Sequence, residues 1–463
     1  MNSTDKTPSY AENPLGILPV NKLLTKFAIP SIVAMLVTSM YNMVDQIFIG
    51  NAVGELGNAA TNIAFPLTTM CTATALTFGI GGASAFNLSM GMGEKDKAGH
   101  YIGNAVVGML SIGVLISLIA LVFLTPLLKF FGSPADVLPY AREYTSVTAF
   151  GFPFLILSAA GGHLIRADGK PGTAMICNLV GAVVNTALDA LFVMGFHWDM
   201  KGAAIATVIS QIIAAALITY HLIHFRTLHL TAAHFVPRWK YLLRAASLGM
   251  SQGFNQLAMM VVQIVLNNSL KYYGARSVYG ESIPIAVVGV ITKVNMLYFS
   301  FCIGLSQGMQ PIASFNYGAG RYGRVKQAYR LARNTGTIIS IAAFLLFQFF
   351  PRQIVSIFGN GSEEYFLFAV NYFRIYLFFT FVNNIQPLTS NFFSSIGKPK
   401  TGLFLSLTRQ ILFLLPLILL FPVFWGINGI MYAGPIADGL AFTVSTVFII
   451  RELHRPEYKS KVS

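Results

Sequence analysis

Long apolar stretches alternate with short polar breaks along almost the whole chain. Crossing a bilayer as helix takes roughly 17–25 mainly apolar residues. Twelve stretches reach that length: 26–50, 60–84, 102–125, 140–163, 173–196 and 202–224, then 244–270, 284–310, 334–351, 366–392, 402–424 and 428–450. The pattern predicts an all-α membrane protein of twelve transmembrane helices. Prolines within them, such as Pro66, Pro153, Pro311, Pro387 and Pro435, read as kinks, since proline is commoner in membrane helices than in soluble ones.

Composition agrees: 55% of the residues are hydrophobic and only 10% charged, against about 25% charged in a soluble domain. The net charge of +14 is a question of placement. With the N-terminus inside, 22 of the 31 Lys and Arg fall on inner segments and six on outer ones. Lys293, Arg374 and Arg409 remain at membrane depth. Basic residues gather on the cytoplasmic side of membrane proteins, so the excess is a topology signal and not a nucleic-acid footprint. It places both termini in the cytoplasm of a multi-pass protein of the cell (inner) membrane. Cys71, Cys177 and Cys302 are far apart in apolar segments, which argues against a disulfide framework or metal site. His221, His224, His229 and His234 have no metal-ligand spacing either. The Gly-x-Gly pieces lack the Lys-Ser/Thr ending and strand-to-helix context of a phosphate loop, and catalytic spacings are lacking. Neither an enzyme nor a cofactor is expected.

The halves repeat. Gly169-Lys170-Pro171 recurs as Gly397-Lys398-Pro399, and Ala141 and Tyr144 recur at the same offset as Ala369 and Tyr372. Ser84-Ala85-Phe86-Asn87 before Gly91-Met92-Gly93 is similar to Ala313-Ser314-Phe315-Asn316 before Gly318-Ala319-Gly320. Six spans per half give the repeats one orientation, related by a pseudo-two-fold axis along the membrane normal. The expected layout is a partly disordered N-terminal arm (1–24), a first lobe (25–224), a cytoplasmic linker (225–243), a second lobe (244–451) and a tail (452–463). Each chain then encloses its own pathway and works as a monomer.

Asp45 and Asp189 are carboxylates within otherwise apolar spans of the first half. At that depth an acidic group faces a bundle interior or an aqueous cavity, and it marks an ion pathway by default. Tyr41 and Asn42 share a helical face with Asp45, and Asn185 precedes Asp189 by four residues. Thr207 and Gln211 are spaced the same way on the sixth span. Pro30 removes a backbone hydrogen bond from the first span and permits a bend. Asp, amide and hydroxyl oxygens suit either Na⁺ or a protonatable carboxyl, so the coupling ion is H⁺ or Na⁺. In the second half Asp438 has Lys293 and Arg409 as possible partners, which favours a structural ion pair. Gln252, Asn255, Gln256 and Gln263 on the seventh span, with Asn383, Asn384 and Gln386 on the tenth, are candidates for a cavity lining or for packing contacts. Of these, Asn42, Gln211, Gln256, Asn383 and Asn384 are the candidates for substrate contact.

The duplication, Tyr41-Asn42-x-x-Asp45, the Arg166-Ala-Asp-Gly-Lys-Pro171 loop and its Gly397-Lys398-Pro399 echo resemble the multidrug and toxic compound extrusion (MATE) family over nearly the whole chain after the arm. The resemblance implies export of small-molecule drugs or metabolites in exchange for H⁺ or Na⁺, by two lobes rocking around a central cavity. One branch of that family uses acidic residues on the seventh and tenth spans, where this chain has Gln252, Gln256, Asn383 and Asn384. The prokaryotic branch with a first-lobe cation site fits better and maps it to Asp45, Asn185, Asp189 and Thr207, with Tyr41 close by. The alternative is a lipid-linked oligosaccharide flippase of the same superfamily, which calls for cationic cavity residues; Lys293 and Arg409 are the candidates.

Overall fold

The computed structural model describes residues 13–280, 282–358 and 362–459, excluding the side chains of Glu55 and Lys459. Twelve long helices carry the described architecture. In the first half they are α1 (Val20–Val53), α2 (Glu55–Gly91), α3 (Lys95–Val122), α4 (Leu138–Ala167), α5 (Pro171–Gly195) and α6 (Asp199–Ile223). In the second they are α7 (Trp239–Gly274), α8 (Ser282–Gly318), α9 (Tyr322–Phe349), α10 (Glu363–Ser395), α11 (Pro399–Trp425) and α12 (Ile427–Leu453). Eleven are long and apolar enough to cross a bilayer by composition alone. The exception, α7, has ample length but carries Gln252, Asn255, Gln256, Gln263, Asn267 and Asn268. It packs against α2 and α11, with Gln252, Asn255, Gln256 and Gln263 half-buried and Asn267 and Asn268 exposed.

The repeat seen in the sequence returns as matching turns. Gly169 and Gly397 both adopt φ +82°, a left-handed conformation that costs glycine little. Each is followed by Lys and then by Pro at the first position of the next helix, where a missing amide does no harm.

The hydrophobic cores show how the lobes meet. On the side that carries the described chain ends, one core runs continuously through both halves, from Leu23, Phe27, Ala83 and Phe86 to Leu305, Met309, Phe315 and Phe392. Toward the other side it divides. The second half keeps its own core around Leu266, Val287, Phe373 and Ile430, and the first half a smaller one around Ile49, Ala64, Ala141 and Ala203. The lobes are fused at one membrane face and separate at the other.

Two boundaries differ from expectation. The described end of the arm is ordered: Pro14–Ile17 forms a helical turn capped by Asn13, and α1 begins at Val20. Arg324 and Asn316 donate to the Leu15 carbonyl at 3.1 and 3.0 Å, which pins the turn beneath the second lobe. Residues 1–12 of the arm, with Lys6, and residues 460–463 of the tail, with Lys461, lie outside the described residues. The linker is also shorter than expected, because α7 starts at Trp239. Asn104 of α3 holds the linker down, donating to the carbonyls of His234 and Val236 at 3.2 Å and accepting from the Arg238 amide at 2.7 Å.

Candidate functional site: a buried carboxyl pair and an interlobe seal

Asp45 on α1 and Asp189 on α5 come together as neighbours inside the first lobe. Asp189 is 0% exposed. Four acceptor oxygens here are buried without a donor among the described residues: both of Asp189, Oδ1 of Asp45 and Oδ1 of Asn185. Asn185 spends its amide on Thr207 Oγ1 at 3.5 Å. Two anionic carboxylates side by side in a low-dielectric interior repel strongly and lack solvation. A proton shared between them, or a small cation held by these oxygens, satisfies the group.

The structure brings Tyr41, Asp45, Asn185, Asp189 and Thr207 into one neighbourhood. Tyr144 of α4 joins them, standing beside both carboxyls and Thr207. As a site residue it was missed, although its recurrence as Tyr372 was a signal: Tyr372 stands beside Arg409 in the other lobe. Directly after Asp189 the helix widens into a π-type turn over Ala190–Gly195, a distortion common at functional sites.

The remaining candidates divide. Gln211 lies against α4 at Gly151, inside the lobe. Asn42 is exposed on α1 and Gln256 half-buried on α7. Asn383 and Asn384 are buried and committed within the second lobe. Asn383 donates to Asp438 Oδ2 at 3.2 Å and Asn384 to the Arg333 carbonyl at 3.4 Å. They act here as glue between helices and are not an open lining, because α10 loosens into a 3₁₀ turn at Phe378–Val382 and directs both amides into the lobe. Asp438 pairs with Arg409, which lies in a second π-type turn, Thr408–Leu414. Lys293 is not part of that pair. Pro30 lies inside the unbroken helix α1.

A seal between the lobes went unrecognised in the sequence. Ser39 of α1 and Ser300 of α8 share a hydrogen bond of 2.8 Å. Deeper toward the fused face, Arg166 donates to Gln307 at 3.0 Å. Gln310 donates to Ser84 and to the Ile80 carbonyl, both at 3.0 Å. Glycines allow this closeness: added β-carbons at Gly304 and Gly308 would stand 2.5 and 2.6 Å from the Cα atoms of Ile32 and Ala28. The available signal was Gly304-x-x-x-Gly308 and Gly249-x-x-x-Gly253, spacings that let membrane helices approach closely.

Two six-helix lobes, closed at one face, parted at the other and holding an uncompensated carboxyl pair, define a membrane transporter. The MatE family model matches residues 30–191 and 253–420, one stretch in each lobe. The chain belongs to the MATE family of transporters. Its relatives include the FAD transporter of Shewanella oneidensis, 22% identical over 95% of this chain and 96% of that one. The multidrug export protein MepA of Staphylococcus haemolyticus is 22% identical, covering 93% of each. Among solved structures, the outward-facing conformation of a multidrug resistance MATE family transporter superposes with a TM-score of 0.87 at 22% identity, over 98% of this chain and 99% of that one.

Proposed function

We propose that the protein is an antiporter that expels bulky organic compounds across the cell membrane in exchange for H⁺ or Na⁺. The observation that carries this reading is the set of buried oxygens without donors on Asp45, Asn185 and Asp189. Asp189, with Asn185 and Thr207, takes the ion, and Asp45 responds to its occupancy. Because α1 carries both Asp45 and the seal residue Ser39, a change at the carboxyl pair acts on the helix that closes the lobes. Pro30 has no amide hydrogen to give to the Lys26 carbonyl, so bending there breaks no hydrogen bond. An ion shifts the equilibrium only by binding one state better than the other, and the carboxyl pair supplies that difference if its separation changes as α1 bends. Both termini are assigned to the cytoplasm from the Lys and Arg distribution, so the fused face is cytoplasmic and the parted face opens outward. The exporter names of the relatives support organic cargo, and a single chain suffices for the pathway.

The flippase alternative requires several cations lining the cleft for pyrophosphate. Arg409 is held by Asp438, which leaves Lys293 alone and favours the antiporter.

The test is transport by the full chain in proteoliposomes under separately imposed pH and Na⁺ gradients, with cationic ethidium and anionic flavin mononucleotide each tried as cargo. Asp189→Asn and Asp45→Asn are each expected to abolish gradient-driven transport at unchanged membrane expression. Normal transport by either variant would remove that residue from the coupling role.

A further inference from the structure

Of the three cations at membrane depth in the second lobe, two are committed to partners, Arg374 donating to the Gln348 carbonyl at 3.2 Å, and the third is not. Arg409 pairs with Asp438. Lys293 is exposed, and no described residue provides it with an ion pair or hydrogen bond. Its direction follows from the seal. Ser300, Gly304 and Gln307 of α8 all meet the first lobe, at Ser39, Ile32 and Arg166. At about 100° per residue, Lys293 falls within roughly 20° of both Ser300 and Gly304 around the helix. It therefore looks along the same face toward the first lobe, two turns beyond the last contact.

The opposite wall follows in the same way. Gln46 lies seven residues beyond Ser39 on α1 and, like Lys293, about 10 Å past the Ser39–Ser300 bond toward the parted face. Gln46 and Asn42 are exposed there, and both are neutral. Asp45 is turned about 120° from Ser39 around α1, toward Asp189 on α5. The outward cleft thus has a lysine on one wall, neutral amides on the other, and no carboxylate from α1 facing it. Met43 and Met296, beside these residues, offer adaptable apolar surface to the body of a ligand. Low-dielectric walls focus the field of an unpaired ammonium group.

We infer that Lys293 is the anion-recognition point of the transport cleft, and that the favoured cargo is an amphipathic organic anion carrying a phosphate or carboxylate. The inference rests on the exporter reading and gives it a substrate class. A cation-selective exporter would gain nothing from an unpaired lysine at this point.

Riboflavin and flavin mononucleotide share an aromatic body and differ by one phosphate, so flavin fluorescence with the purified full chain is the measurement. Wild type is expected to bind the phosphorylated form about tenfold or more tightly, the scale of one charge-assisted hydrogen bond. Lys293→Gln is expected to lose that preference while keeping riboflavin affinity, and Lys293→Arg to retain it. A wild type that binds both flavins equally, or binds neither, overturns the proposal. So does an unchanged preference in Lys293→Gln. The readout is equilibrium binding, so loss of the coupling reading in the gradient assay would leave it unmoved, and the two ideas fail separately.

Discussion

The interlobe seal yields the most direct structural prediction. Gly308→Ala would place a β-carbon 2.6 Å from Ala28 Cα and backbone N. Carbon atoms pack best at about 3.5–4.0 Å, so α1 and α8 must part by about 1 Å or more at their crossing. Overfilling a packed site costs about 1–3 kcal/mol, here charged mainly to the closed state. Alanine also gains about 1 kcal/mol of helix propensity over glycine, which calls for a control in the same helix. Gly289→Ala serves, because nothing lies within 4 Å of its added β-carbon. Relative to that control, the closed state should lose about 5- to 150-fold in population, taking 1.4 kcal/mol as tenfold. The native cysteines Cys71, Cys177 and Cys302 are buried and unpaired, and replacing them leaves room for Ser84→Cys as a reporter. Ser84 is fully buried in the seal, so its labelling by a polar maleimide reads opening at the fused face. Labelling of Gly308→Ala no faster than that of Gly289→Ala would refute the reasoning.

Two further variants probe the buried charges. Arg409→Leu leaves Asp438 buried and unpaired, which should cost about 3–5 kcal/mol and appear as a large drop in the thermal midpoint in detergent; Arg409→Leu with Asp438→Leu should recover most of it, and equal drops in the single and double variants would exclude a pair. In the α4–α5 turn, Asp168 accepts from His221 at 3.1 Å, from the amides of Arg226 and Thr227 at 3.0 and 2.8 Å, and from the Thr227 hydroxyl at 2.8 Å. Burial alone would raise the pKa of Asp168, but these bonds outweigh it and hold it below the usual Asp value. A depressed carboxyl stabilises the fold above the unfolded pKa and loses that contribution as pH falls through the folded one. Protease cutting after Arg226 should therefore rise in acid for wild type, and already be high at neutral pH for Asp168→Asn; a variant as resistant as wild type at pH 7 would count against the anchor.

Much of this molecule is legible from residue order because the bilayer imposes simple demands. Every backbone polar group in hydrocarbon needs an internal partner, so apolar length alone gives helices, and α7 could be placed despite its amides. The repeated Gly-Lys-Pro turns are equally local, since the left-handed glycine and the proline that opens the next helix act within a few residues. A carboxylate in an apolar span is costly wherever it sits, which is why Asp45 and Asp189 stand out in the sequence.

What residue order could not give is direction. Asp45 and Asp189 are 144 positions apart, and only the packing of α1 on α5 makes them one site and adds Tyr144. Asn383 and Asn384 have the composition of a cavity wall, but a local loosening of α10 turns them inward. The π-type turns after Asp189 and around Arg409 follow from no propensity in the chain. The partner of Asp438 was open between Lys293 and Arg409 until the second lobe assembled. Sequence determined which charges must be accounted for within the membrane; tertiary packing decided which are paired and which one faces the cleft, because contact between distant helices depends on rotation and register.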